Sequence, residues 1–269
     1  MKKNLPDEVR IYEYLGSYFY RVNIAPPKDG ESKRRAEARE ALRKKKVRKA
    51  LSLAIDRDGI CDFLKGGQKP AVAFVPPGTG GYHSPSILRT DLEEAKKLLA
   101  EAGYPNGKGF PEFEIIYNTN ESHRQIAEII QAQWKNVLGV KVILKNQEWK
   151  VYNNTIHAGD YELARAAWIG DYNDANNFLD MWLTGGGNNE TGYASEEYDE
   201  LIRKAAMSGN DQEKRFEYFR QAETMLMDDL PIIPIYYYVS QSMIHPSVIG
   251  WHDNILDQHR VRFLDVKRP

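Results

Sequence analysis

The chain has 269 residues, enough to bury a sizeable core as one large domain or two small ones, and its 37 basic and 38 acidic residues leave a formal net charge of -1. That balance removes any general attraction to nucleic acid or to an anionic membrane, so a charged partner has to be met locally. The single Cys61 excludes an internal disulfide and a cysteine-held zinc site, and no stretch reaches the apolar length of a spanning helix.

The opening residues Met1 to Asp7 lack the hydrophobic run of a secretion signal, so the chain as it stands is expected to be soluble and to carry no address. Residues 17–24, rich in aromatic and β-branched types, predict a strand closed by Pro26 and Pro27. From Lys28 to Lys46 the chain is dense in Lys, Arg, Glu and Ala and reads as a solvated helix or a disordered insert. A basic tract can hold phosphate, but the interleaved Glu31, Glu37 and Glu40 and the lack of aromatics favour the solvated face.

Val47, Ala50, Leu51, Ala54 and Ile55 repeat at the spacing of one buried helical face that runs on toward Ile60 and Phe63 and stops at Gly66-Gly67. Prolines and glycines between Pro70 and Pro85 predict a surface loop. Asp91 then caps a helix over 92–102, with Gly103 as its stop. A strand at 113–117, a helix at 121–138, a strand at 140–144, a helix at about 151–157 and a further strand ending near Ile169 predict a mainly parallel sheet covered by helices, with ligands bound beyond the carboxyl ends of its strands. A short helix at 178–183, a glycine-rich loop at 185–189, helices at 196–207 and 211–228 and an extended strand at 230–239 follow. Strand alternation puts Tyr236 and Tyr238 on one face. The last thirty or so residues show no clear periodicity, and no internal repeat is visible.

The most chemically loaded stretch is 164–174, ARAAWIGDYND, which leaves an apolar run for a cluster of polar and aromatic groups. Arg165 can bond a carboxylate in bidentate fashion, Asp171 can accept from an ammonium, and Trp168 can cover the apolar part of a zwitterion between them. The same residues also allow a surface ion pair of Arg165 with Asp171 beside a core tryptophan, and spacing does not separate the two readings. His83, His123 and His157 have no metal-ligand spacing, and no nucleophile elbow, phosphate loop, dinucleotide fingerprint or thiolate pair occurs. An acid-base enzyme built on Asp171, Asp174 and His123 would lack a nucleophile. No cofactor, no metal and no catalysis are expected.

Residues 47–57 (VRKALSLAIDR), 94–104 (EAKKLLAEAGY), 117–119 (YNT), 146–150 (NQEWK) and the 164–174 motif, in this order, resemble the oligopeptide-binding proteins of ABC importers, extracellular solute-binding protein family 5. The likeness runs from about residue 17 to the C-terminus and implies an α/β fold of the periplasmic binding protein type II. Within that fold the chain corresponds to the second lobe with both hinge strands and a C-terminal tail of the first lobe. The implied organisation is 1–24 as hinge strand and first-lobe remnant, 25–46 as charged insert or linker, 47–230 as the peptide-binding lobe and 231–269 as return hinge strand and tail. The resemblance implies that the first lobe and the lipoprotein signal are missing from this sequence.

The resemblance implies an extended oligopeptide as ligand, a membrane permease and the missing N-terminal lobe as partners, a monomer, and a periplasmic or cell-surface location. Asp171 matches the aspartate that holds the peptide α-ammonium. Trp168 and Trp149 match aromatic pocket walls, with Ile169 and Gly170 beside them. Arg165, His123 and His157 match groups that receive the carboxylates of peptides of different lengths, and Tyr238, with Tyr236, lines the cleft from the second hinge strand. Two positions depart from the pattern: Ile156 stands where the best-known peptide binders carry an arginine, and Arg21 where an acidic residue can occur. Relatives of this fold also take dipeptides, nickel complexes, haem or sugars, and an isolated lobe that binds nothing is the rival reading.

Overall fold

The computed structural model describes residues 7–267; residues 1–6 and 268–269, the outer ends of the expected first-lobe remnant and tail, lie outside the described residues. In chain order the elements are β1 (Val9–Val22), α1 (Lys33–Arg43), α2 (Lys45–Leu53), α3 (Arg57–Leu64), β2 (Lys69–Pro70), α4 (Leu92–Glu101), β3 (Phe113–Asn118), α5 (Glu121–Leu138), β4 (Val142–Gln147), α6 (Trp149–His157), β5 (Leu163–Ile169), α7 (Asn176–Leu179), α8 (Glu196–Ala206), α9 (Gln212–Asp229), β6 (Ile232–Met243), β7 (Val248–Ile249) and β8 (Asp265–Val266). Capping chemistry sets many of the helix starts: the side chains of Asp91, Asn120, Ser195 and Asp211 accept first-turn N–H groups of α4, α5, α8 and α9. The helix expected over 47–63 is two helices, because Asp56 takes the N–H of Gly59 and opens α3 afresh.

Six strands form one sheet in the order β2-β6-β1-β5-β3-β4. The unit β3-α5-β4-α6-β5 is parallel, as the alternation of strand and helix predicts. The sheet as a whole is nevertheless mixed, because β1 runs antiparallel to both β5 and β6, and β2 antiparallel to β6. This corrects the expectation of a mainly parallel sheet. β1 and β6 come from opposite ends of the chain, and no local pattern announces their pairing.

Helices cover both faces. On one, Tyr18, Tyr20, Ile115 and Ile233 pack with Ile126, Ile130 and Trp134 of α5 and with α2. On the other, Leu15, Phe19 and Ala166 pack with Phe178, Leu179, Trp182 and with α8 and α9, while Ile116 and Ala164 meet Tyr152 and Ile156 of α6. Buried Glu223 of α9 accepts the N–H groups of Phe74 and Val75 at 2.9 and 2.7 Å and the Tyr82 hydroxyl at 2.8 Å, which fixes the proline-rich loop after β2.

The basic segment after Pro27 is neither fully solvated nor disordered. α1 buries Ala38, Arg39, Ala41 and Leu42. Arg34 and Arg35 reach the buried Glu162, Lys45 and Lys49 reach Asp228, and Lys46 reaches Glu101, so these cations are engaged within the fold.

Tyr14, Leu15 and Gly16 of β1 stand opposite the single Tyr238 of β6, a bulge that turns the Leu15 carbonyl onto the Gly170 N–H at 2.8 Å. A Cβ on Gly16 would lie 2.5 Å from Ile169 Cδ1 and 3.2 Å from the Trp168 carbonyl oxygen. Gly16→Val is therefore expected to lower unfolding stability by about 1–3 kcal/mol in a urea titration. An unchanged midpoint would mean that the bulge opens freely. Beyond β6 the tail is tied back by the Tyr12 hydroxyl, 2.9 Å from His259 Nε2, with Trp251 stacked on His259 at 3.5 Å.

Candidate functional site

β3 and β5 are neighbours whose following helices pack on opposite faces: α5 joins the core beneath Ile115, and α7 joins the core beneath Ala166. In an open α/β sheet such a switch point leaves a crevice outside the carboxyl ends of the strands. Arg165 of β5 and Asn118 of β3 meet across it, Nη1 donating to Asn118 Oδ1 at 3.4 Å.

Arg165 pairs with Tyr20 of β1 and so lies on the α5 face. Its Nη2 donates to the Tyr238 hydroxyl at 2.9 Å, its guanidinium lies 4.7 Å from the Tyr18 ring centroid, and its buried Nε has no partner among the described residues. Tyr18 stacks on Tyr236 at 4.7 Å, and Tyr236 meets Tyr238 edge-on at 5.2 Å, so alternation along β6 does put the two tyrosines together. His123, in the first turn of α5, places Nδ1 3.5 Å from the Tyr18 hydroxyl. This is a cation in an aromatic and amide frame with no carboxylate among its recorded partners. Tyr18 and Asn118 belong to the group, although spacing singled out neither for a role.

Burial, with the Arg165 charge beside it, pushes the His123 imidazole down to about 3 from its usual 6.5. It is neutral at physiological pH and adds no second cation. As pH falls from 6.5 toward 3 the unfolded chain takes this proton and the folded chain does not, so stability falls over that window and is unaffected above it. His123→Gln should flatten the acid limb of the pH–stability curve. An unaltered limb would contradict a desolvated imidazole.

Trp168 pairs with Ser17 and lies on the other face, against the α7–α9 core. The expectation that Trp168 covers a zwitterion lying directly between Arg165 and Asp171 therefore fails: positions 165 and 168 differ in parity, and a strand sends them to opposite faces. Among the described residues Arg165 and Asp171 form no ion pair either, the Arg165 fork going to Asn118 and Tyr238, which removes the surface-pair reading. Asp171 is exposed just past β5, with no side-chain partner among the described residues, whereas nearby Asp174 is held by Arg215 in a bidentate pair at 2.8 and 2.8 Å. The Asp171 main-chain N–H donates to Asn177 Oδ1 at 3.0 Å, and the Trp168 indole N–H donates to the same oxygen at 3.0 Å.

The remaining expected residues divide. Ile169 is exposed at the strand end. Gly170 serves packing, since a Cβ there would meet Leu15 Cδ2 at 2.7 Å and Phe178 at 3.1 Å. Trp149, 56% exposed, stacks on Tyr152 at 6.0 Å, and the Tyr152 hydroxyl donates to the Arg165 carbonyl, which links the start of α6 to the cleft strand. His157 is not brought to this group. It closes α6 at the amino end of β5, 72% exposed and paired with Glu190, which also holds Arg21. Ile156, at the position that departs from the family's arginine, is core.

The family description "Bacterial extracellular solute-binding proteins, family 5 Middle" matches residues 1–190. Over 258 residues the chain is 37% identical to the periplasmic oligopeptide-binding protein OppA of Salmonella typhimurium, covering 93% of this chain and 45% of that one. The Escherichia coli murein tripeptide-binding protein MppA superposes with a TM-score of 0.83 at 30% identity, covering 98% of this chain and 51% of that one. Haemophilus influenzae OppA in complex with RPPGFSPFR superposes at 0.80 with 34% identity, covering 98% and 51%. The matched relatives are binding proteins rather than enzymes, and their fold is that of the type II periplasmic binding proteins. The chain spans about half the length of the relatives it matches. With the family match over most of the chain and the shared fold over nearly all of it, this chain belongs to the bacterial extracellular solute-binding proteins of family 5.

Proposed function

We propose that this chain is the second lobe of the solute-binding component of an ABC peptide importer, taking an extended peptide across the end of its sheet. The observation that carries the reading is a pair of opposite charges on one strand and its following turn, neither with a charged partner among the described residues: Arg165 on the α5 face of β5, and Asp171 in the turn whose main chain Asn177 of α7 holds. Asp171 receives the peptide α-ammonium by charge-assisted hydrogen bonds, and Arg165 faces carboxylate or main-chain oxygen. Trp168, Trp149, Tyr236, Tyr238 and Ile169 supply apolar walls, and the neutral His123 can contribute only a hydrogen bond. The other lobe closes over the ligand by hinge motion about β1 and β6, and the closed form engages the permease at a periplasmic or cell-surface site.

A second reading, a folded lobe that binds nothing alone, is favoured by the chain's half-length match and by the exposure of Trp149 and Tyr172. Half a cleft leaves a peptide's charges in water and forfeits most of the affinity. Isothermal titration with tri-alanine, followed by mass analysis of the peptide, separates the readings. Saturable heat with intact peptide supports the binding lobe, silence supports the non-binding lobe, and cleavage overturns both.

A further inference from the structure

Accepting Asp171 as the ammonium receptor, on which this inference rests, leaves open what aims it. Asp171 lies beyond the last ladder bond of β5, in a turn where a main-chain rotation would swing its carboxylate away from the cleft. One atom prevents that. Asn177 Oδ1 accepts the Asp171 main-chain N–H at 3.0 Å and the Trp168 indole N–H at 3.0 Å. Asn177 itself is buried on α7, between Phe178 and the turn at Asp174.

Two donors on one acceptor fix the amide orientation of Asn177, because the flipped amide would aim N–H groups at N–H groups. The turn is held from two further sides. Asp174 takes the fork of Arg215 at 2.8 and 2.8 Å, and Asn173 Oδ1 accepts the Gly80 N–H at 2.8 Å. Those three bonds anchor the far side of the turn, whereas Asn177 alone couples the residue expected to meet the ammonium with the aromatic beside it. We infer that Asn177 is a positioning residue of the peptide site. It touches no ligand; it holds the Asp171 main chain and the Trp168 ring in one register, so the carboxylate and the aromatic wall present themselves as a single preformed unit.

The consequence is specific. Asn177→Leu keeps the branched shape at a larger volume and removes the acceptor, leaving two N–H groups without a partner and the turn free to rotate. Asn177→Asp keeps an acceptor oxygen in place. The test measures affinity for tri-alanine and for N-acetyl tri-alanine in the protein as its host produces it. The preference for the free amine is the readout, because a general loss of packing would weaken both peptides alike. Asn177→Leu is expected to cut that preference by roughly tenfold or more, and Asn177→Asp to retain most of it. The indole N–H resonance of Trp168, identified by its loss in Trp168→Phe, should move in Asn177→Leu and stay near its place in Asn177→Asp.

A full free-amine preference in a folded Asn177→Leu protein would overturn the inference and leave the Asp171 assignment standing. A wild-type protein that binds both peptides equally, or neither, would remove the ammonium reading itself and this inference with it. If Asn177→Leu does not fold, Asn177→Asp still decides: an unmoved indole signal with intact preference supports the inference, and a lost preference with that signal unmoved overturns it.

Discussion

Asp171→Ala is expected to lower the affinity for tri-alanine by about a hundredfold or more, measured by isothermal titration in the protein as its host produces it. Closing the cleft strips water from the ammonium, and a desolvated charge that loses its partner costs roughly 3–5 kcal/mol. N-acetyl tri-alanine carries no ammonium and should bind Asp171→Ala at least as well as wild type, because the variant has no unpaired carboxylate to desolvate. Asp174→Ala supplies the contrast. Its carboxylate is already spent on Arg215, so the variant should lose stability rather than free-amine preference. If Asp174→Ala loses the preference and Asp171→Ala keeps it, the receptor has been assigned to the wrong aspartate.

The second large effect concerns stability. Arg39 is 1% exposed. Its guanidinium meets the Glu31 carboxylate, Asn23 Oδ1 at 3.1 Å and the carbonyls of Ala25 and Pro26 at 2.9 and 3.0 Å. Arg39→Met fills a similar space and leaves the Glu31 carboxylate and the Ala25 and Pro26 carbonyls without this donor, the first of them a charge almost removed from water, while Asn23 Oδ1 keeps only the Ala25 N–H. The expected loss is about 3–5 kcal/mol, or a fall in melting temperature of roughly 10 °C for a chain of this size. Arg43→Met, whose partner Glu40 is an exposed neighbour three residues away, should change stability by less than about 0.5 kcal/mol. Near-equal effects for the two variants would show that α1 decorates the lobe instead of pinning the end of β1.

The charged helix also shows why part of this fold was illegible. Sequence reading counts apolar side chains, and the buried face of α1 offers only Ala38, Ala41 and Leu42 around an arginine. What makes Arg39 a core residue is a set of oxygens from 23–31 that only the fold assembles around it. The parallel unit, by contrast, was legible. β3, α5, β4, α6 and β5 alternate in period, and Asn120 and Gly139 bound α5 with side-chain and left-handed caps.

The candidate site was half readable. The 164–174 motif is where the chain delivers its chemistry, and Asp171, Arg165, Tyr238 and Tyr236 stand at the end of the sheet where the order of elements places a cleft. Two placements had available signals. Strand parity separates Arg165 from Trp168, and the direction of a crossover helix carries His157 away from the carboxyl ends of the strands. Asn177 had none, because a buried asparagine in a short helix looks like any turn residue until its two donors are seen.

By itself, then, the sequence determined the local elements, since periodicity and capping are interactions among near neighbours, and it determined which strand end carries the charged and aromatic groups. Only the tertiary structure decided that β1 and β6 enter the sheet antiparallel, that Arg165 meets Asn118 and Tyr238, and that Asn177 ties the turn to the indole. Each of these is a contact between segments distant along the chain or across a turn, where the energy comes from pairing and desolvation in three dimensions and leaves no periodic trace in the order of residues.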